Sequence, residues 1–293
     1  MLRPRGSWDQ RLLDSTLEIT PEPQSMRWAL DVFGNSVAVV DFSGRTDILK
    51  FQSTLTLDHH PAQLEDFPIA EHARTYPFSY GLAELPDLRS AMERHYPDAC
   101  GTLDAWARQF VGPAGAVETQ ILLQSMTDAL RTGFTYVARE EEGVQAPLHT
   151  LRIRSGSCRD FAVLMMEAAR ALGLAARFVS GYLRTRPGAD DRYVGAGSTH
   201  AWVEVYIPGA GWMQFDPTNG ILGNTDLIRV AVARDPAQAA PISGTFAGSS
   251  TDSLDMSVSV EITAQDSVST PDCASAVAGP SIRLQQPASA SVM

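Results

Sequence analysis

A thiol, an imidazole and a carboxylate occur in that order at Cys158, His200 and Asp216, each inside a short run with its own local logic. The runs are Ser155-Gly156-Ser157-Cys158-Arg159-Asp160-Phe161, Ser198-Thr199-His200-Ala201-Trp202 and Phe215-Asp216-Pro217-Thr218-Asn219. A thiolate, an imidazole that moves the proton and a carboxylate that fixes the imidazole tautomer are the parts of nucleophilic acyl transfer. Singly, each residue has an ordinary structural explanation; together they read as a site.

The elements that must position them can be read locally. Phe161, Leu164, Met165, Ala168 and Leu172 form a helical apolar stripe that Gly173 ends. Ser157 is the expected N-cap, and Asp160 completes a Ser-x-x-Asp capping box. Cys158 then falls in the first turn, where the helix dipole and unpaired N–H groups favour a thiolate and can hold an oxyanion.

His200 and Asp216 belong to an expected β-hairpin. Ala201 to Ile207 is rich in β-formers, Pro208-Gly209-Ala210-Gly211 is a turn, and Trp212 to Phe215 returns. A turn centred on Gly209-Ala210 places Asp216 opposite Val203, about three residues or ~10 Å from His200. A turn centred on Pro208, or a bulge, places His200 opposite Asp216; the second arrangement is the expectation. Trp202 lies two residues from His200 on the same strand face, where it either shields the imidazole or simply packs.

The run from Gly156 to Ala162, Leu172-Gly173-Leu174 through Gly181-Tyr182, Thr199 to Glu204, and Asp216-Pro217-Thr218-Asn219 resemble the core of the bacterial transglutaminase-like proteins. That family lies within the papain-like superfamily of cysteine proteases and transglutaminases. The resemblance covers roughly residues 115–220, and Asp31-Val32-Phe33-Gly34-Asn35 is similar to the N-terminal β domain often found in these proteins. It implies an α+β fold: a papain-like transglutaminase core, with the nucleophile-bearing helix packed on an antiparallel sheet, behind an N-terminal antiparallel β domain. It also implies Cys158 as nucleophile, His200 as general base and acid, and Asp216 as orienting carboxylate. Tyr136 is its candidate for an aromatic aid to the oxyanion hole, beside the plain reading of a packed tyrosine. Ser157, Asp160 and Trp202 complete the oxyanion and positioning candidates.

Composition bounds the rest. The chain of 293 residues is 44% hydrophobic with a net charge of −11, its acids spread along its length. That argues against nucleic acid and against anionic membrane surfaces as partners. The acidic run Glu140-Glu141-Glu142 reads as a solvated loop. Lys50 is the sole lysine, which makes self-crosslinking an unexpected activity. The three cysteines, Cys100, Cys158 and Cys273, lack framework spacing, and no apolar leader follows Met1. These features lead to an expectation of a reducing, cytoplasmic setting.

Along the chain, residues 1–60 form the N-terminal β domain, with strands at Leu12–Ile19, Val37–Phe42 and Ile48–Leu57. Residues 61–114 are a connector with short helices around Pro86–Arg94 and Thr102–Phe110. Asp58-His59-His60-Pro61 reads as a solvated loop rather than a metal site, because no spaced second pair of ligands accompanies it. The catalytic core spans 115–235, with C-terminal β strands over 236–263 and a disordered Ser/Ala/Pro/Val-rich tail over 264–293. His149 reads as a surface or helix-capping histidine, and Arg184 to Gly197, with Asp190-Asp191-Arg192, as a loop shaping substrate access.

The function expected is amide hydrolysis or acyl transfer through a thioester on Cys158, acting on a peptide or protein without cofactor or metal. Nothing here has the spaced acidic loop of a calcium site. Two alternatives use the same residues differently. A non-catalytic module of the same fold would hold peptides in its cleft. A small-thioester acyltransferase would need a cationic pocket for donor phosphates, for which Arg159 and Arg177 are the available arginines.

Overall fold

The computed structural model describes residues 1–60, 62, 68–139, 141–185, 193–195, 197–249, 252–265 and 281–292. Asp190-Asp191-Arg192, Glu140 and Cys273 lie outside them; Glu141 and Glu142 are exposed. The N-terminal module contains β1 (Gln10–Thr20), β2 (Ser25–Leu30), β3 (Ser36–Asp41) and β4 (Leu49–His59). β2 and β3 pair as a separate antiparallel hairpin, while β1 runs antiparallel to β4 along almost its whole length. The connector holds β5 (Thr75–Tyr76), α1 (Leu85–Met92), α2 (Thr102–Arg108) and β6 (Val117–Glu118), and Trp106 packs edge-on against Phe110 at 5.0 Å.

The core follows with α3 (Thr119–Gly133), β7 (Thr135–Tyr136), α4 (Pro147–Ile153), β8 (Ser155–Gly156) and α5 (Cys158–Ala171). Its sheet is antiparallel in the order β12 (Ile221–Leu222), β11 (Gly211–Asp216), β10 (Thr199–Ile207), β9 (Ala176–Leu183), β13 (Leu227–Ala233). One sheet face packs Ala201, Val203, Val205 and Phe215 against Leu164 and Met165 of α5 and Leu122 and Met126 of α3. The other face packs Val179, Trp202 and Val232 against Phe33 of the N-terminal module. Cover on both faces explains why β9 and β10 read as loosely alternating, since neither side meets water.

α5 is enclosed in the same way. Glu167 and Arg170 are buried on it as a 2.8 Å ion pair, with Arg170 also donating to the carbonyls of Ala91, Ala176 and Arg234. Gly173, at φ +78°, ends the helix as expected; its N–H bonds Arg170 O, and Leu174 N–H bonds Ala169 O.

The sequence expectation fails at two places here. Asp58-His59 is not a solvated loop: it closes β4, and His59 is buried with neither ring nitrogen hydrogen-bonded among the described residues. Burial, with Arg184 adding to it, lowers its pKa to about 4. A disordered tail is also not what the C-terminal end shows, because β16 (Ser281–Val292) pairs antiparallel with β4. β14 (Ser253–Val258) and β15 (Glu261–Gln265) pair with β16 in turn. The open edge of β4 supplies backbone partners that a composition-based reading of the tail cannot see.

Candidate active site

Local structure brings Cys158 to the first position of α5. Ser157 is extended at the N-cap, and the Asp160 carboxylate accepts its backbone N–H at 2.8 Å and its hydroxyl at 2.9 Å. Gly156 makes this fold-back possible, since a Cβ there would lie 2.8 Å from Asp160 Cβ. Asp160 also accepts from Gln145 N–H at 2.7 Å and from Arg139 at 2.8 Å, which ties both residues onto the helix start. Burial opposes its ionisation, but the N–H groups of Gln145 and Ser157 and the Arg139 guanidinium hold its pKa below the usual carboxylate range. Asp160 and Ser157 are thus committed to each other, and the Ser157 hydroxyl is turned away from an oxyanion role. Asp160 N–H donates to Ser157 O at 3.0 Å, whereas by helix geometry the N–H groups of Cys158 and Arg159 have no intrahelical acceptor.

The β10–β11 ladder pairs Val203 with Phe215, Glu204 with Gln214 and Ile207 with Gly211. The expected register, His200 opposite Asp216, is therefore wrong. A three-residue loop, Pro208-Gly209-Ala210, closes the hairpin, and extending the ladder sets Asp216 beside Trp202. His200 and Asp216 still share a face as diagonal neighbours, a spacing long side chains can bridge. Nε2 of His200 lies 2.8 Å from Asp216 Oδ2.

The loop length has a tertiary cause. Ala70 N–H donates to Pro208 O at 2.8 Å, and a Cβ on Gly209, at φ +87°, would stand 2.5 Å from Ala70 N. The connector seats the turn.

Asp216 is fully buried and multiply held. Oδ1 accepts from Thr218 N–H at 2.9 Å, and Oδ2 accepts from the Asn219 amide at 2.9 Å as well as facing His200. Burial would raise its pKa, but the His200 charge, these donors and the ring hydrogen bond lower it. For His200 burial alone would lower the pKa, whereas the charge and hydrogen bond of Asp216, helped by Cys158, raise it to about 10. With Nε2 turned to the carboxylate, Nδ1 is the nitrogen left to handle a proton. Among the described residues it has no hydrogen-bond partner, and Cys158 contributes to the raised pKa of the ring. Such contacts commonly tighten only once substrate binds.

The other expected residues divide. Tyr136 is brought to the site: parallel pairing of β7 with β8 sets it beside Gly156. A Cβ on Gly195, at φ +83°, would lie 3.2 Å from His200 Nδ1 and 3.4 Å from the Tyr136 hydroxyl, so both groups converge on one backbone. Burial and the nearby Cys158 raise the Tyr136 pKa. Trp202 is fully buried, its ring centroid 6.0 Å from that of His200, and its indole N–H donates to Gln214 at 2.8 Å. Gly181, paired with His200 in the ladder, leaves room for this ring, because a Cβ there would stand 2.5 Å from Trp202. His149 is exposed on α4, 3.0 Å from Arg152, outside the site.

Asn219 is the residue the sequence reading left without a role. Besides Asp216, its side chain takes the Val194 N–H at 2.8 Å and donates to Val194 O at 3.2 Å, so it pins the segment over the imidazole. Its place three residues after the carboxylate was the available signal. The arginines considered for a donor-phosphate pocket are both engaged. Arg159 donates to the carbonyls of Arg139 and Glu141, and Arg177 pairs with Glu204 at 2.7 Å and lies over the Trp212 ring.

Cys158 is 7% exposed, His200 1% and Asp216 0%, so the arrangement is largely shut off from water. That raises the weight of each charge in it.

Comparison with known proteins bears on the family and the fold. The transglutaminase-like superfamily profile matches residues 104–217, and that of the bacterial transglutaminase-like N-terminal region matches residues 1–58. An uncharacterized protein of Mycobacterium tuberculosis is 30% identical over 269 residues, covering 88% of this chain and 84% of the relative. A protein-glutamine gamma-glutamyltransferase of Pseudomonas aeruginosa is 40% identical over 67 residues, 22% of this chain and 10% of that protein. Among solved structures, a cysteine-protease candidate from Cytophaga hutchinsonii shares the fold with a TM-score of 0.67 at 23% identity, over 97% of this chain and 90% of its own. With a papain-like α+β core behind antiparallel N-terminal strands, and with these matches, the chain belongs to the bacterial transglutaminase-like family, whose superfamily is one of cysteine-dependent catalysis.

Proposed function

We propose that the chain hydrolyses amide bonds of a peptide or protein substrate through a thioester on Cys158. The observation that carries this reading is the buried His200–Asp216 pair at 2.8 Å, with the opposite ring nitrogen unpartnered among the described residues and Cys158 acting on the ring from a helix start. Cys158 Sγ attacks the amide carbonyl carbon while its proton resides on His200. The carbonyl oxygen gathers negative charge against first-turn N–H groups of α5, and the Tyr136 hydroxyl stands close enough to assist. Collapse breaks the C–N bond, and the imidazolium gives its proton to the departing amine. Water then attacks the thioester with His200 taking its proton, which releases the carboxylic acid and restores the thiol. Asp216 keeps the ring oriented and its positive form stable, without being protonated itself.

Hydrolysis requires only water as the second reactant. Transfer to an amine is the second reading, favoured by the local similarity to the Pseudomonas aeruginosa gamma-glutamyltransferase. Incubating native protein and Cys158→Ala with a peptide library, with and without a primary amine, tests both by intact-mass spectrometry. Cleavage fragments that need Cys158 support hydrolysis, and amine-adducted glutamine supports transfer. Identical spectra from the two proteins remove the amide-substrate reading and favour a peptide-holding module.

A further inference from the structure

On the side of the core sheet away from α5, the N-terminal segment closes over β11 and β13 and leaves a cavity of about 220 Å³. None of Cys158, His200 or Asp216 lines it. It stands behind the catalytic wall, since Gln214 lines it and accepts the indole N–H of Trp202.

Its lining is cationic in an acidic protein. Arg5, Arg177 and Arg229 face it, against a net chain charge of −11. Two of the three guanidiniums are matched. Glu204, fully buried, accepts Arg177 at 2.7 Å and Arg229 at 2.8 Å, and Asp9 accepts Arg229 at 3.2 Å. Arg5 reaches no carboxylate among the described residues; its hydrogen bond is to Gly34 O at 3.4 Å. An ion-pair network joining the N-terminal module to the core accounts for Arg177 and Arg229. It accounts for neither the third guanidinium nor the hollow beside it.

The three cations are close enough to oppose one another: after burial, and against the pull of Glu204, Arg229 and Arg5 each lower the Arg177 pKa. Spare donors remain as well. Arg177 commits Nε and Nη2 to Glu204, which leaves Nη1 of a five-donor fork. Beside the polar Ser7, Asn35, Gln214 and Asn224, one part of the wall is aromatic and apolar: Trp212 carries the Arg177 guanidinium 4.0 Å from its ring centroid, Trp8 is 67% exposed at the rim, and Val230 and Val232 lie within. With three guanidiniums set against Asp9 and Glu204, one negative charge balances the site. The space accommodates a small body attached to that charge.

We propose that this cavity binds a small organic monoanion, a carboxylate on a planar apolar body, at a site separate from the catalytic cysteine. The carboxylate meets Arg5 and the spare donors of Arg177, and the body lies along Trp212.

Calorimetric titration of the Cys158→Ala protein with benzoate, benzamide and inorganic phosphate at fixed ionic strength tests this, repeated on Cys158→Ala/Arg5→Gln. Arg5 is exposed, so its replacement leaves the fold intact, and an unchanged Tm verifies that. Saturable one-to-one binding of benzoate is expected, with benzamide and phosphate each at least about tenfold weaker and Arg5→Gln costing benzoate about tenfold, the scale of one lost charge-assisted hydrogen bond. Absence of saturable benzoate binding overturns the proposal, as does equal binding of benzamide or phosphate or undiminished binding by Arg5→Gln.

Discussion

Asp216 and His200 meet at 2.8 Å as diagonal rather than directly paired residues of one hairpin, with Trp202 beside the carboxylate in the extended ladder. The diagonal leaves the imidazole at the start of β10, where its second nitrogen has no hydrogen-bond partner among the described residues.

The first prediction concerns the charge of that ring. Its pKa is raised from 6.5 to about 10, so the stabilisation from the ion pair is complete below pH 6.5 and is lost as pH rises through 10. The nitrogen NMR signals of His200 should titrate near pH 10 in the native protein. In Asp216→Asn the titration should fall by several units, and with it the alkaline limit of activity. An unmoved titration would mean that the carboxylate does not govern the ring.

Asn219→Ala removes a donor to Asp216 and both bonds to Val194. Loss of a hydrogen bond to a charged group costs about 1.5–3 kcal/mol, which predicts a roughly 10- to 100-fold fall in kcat/KM. Asn219→Asp should be worse, because it sets a second anion against Asp216. Comparing the two variants' pH profiles separates this positioning role from general loss of stability, which would lower activity at every pH alike.

Gly195→Ala places a methyl group 3.2 Å from His200 Nδ1, at a φ of +83° that a Cβ strains by about 1–2 kcal/mol. Activity should be nearly abolished while Tm moves only a few degrees. Retention of full activity would show that this backbone does not border the reacting nitrogen.

Arg139→Leu strands the buried Asp160 carboxylate at the head of α5. Breaking a buried pair on one side costs about 3–5 kcal/mol, so urea unfolding should show a lowered midpoint. The double variant Arg139→Leu/Asp160→Asn should recover part of that loss.

Burial holds the His59 pKa near 4, so the unfolded chain takes up a proton more readily and stability falls as pH drops from 6.5 toward 4. His59→Phe should flatten this part of the Tm profile. An unchanged profile would place the acid sensitivity elsewhere.

What was legible in the sequence was local. The stripe from Phe161 to Leu172 and the Ser157–Asp160 pairing lie within a few residues, and both describe α5 correctly. Cys158, His200 and Asp216 stood out as candidates because their flanks each carry a signal of their own. The hairpin register was not, since the loop at Pro208-Gly209-Ala210 is seated by Ala70, well over a hundred residues away. His59 was misread for a related reason: nothing in Asp58-His59-His60 announces that β4 would be covered. Asn219 went unassigned because its partners, Asp216 and Val194, converge only after the chain has folded.

His200 and Asp216 ride on one hairpin, whereas Cys158 rides on a helix in another layer. The distance from thiol to imidazole is therefore set by how helix and sheet pack, while the His200–Asp216 pair is set within the hairpin alone.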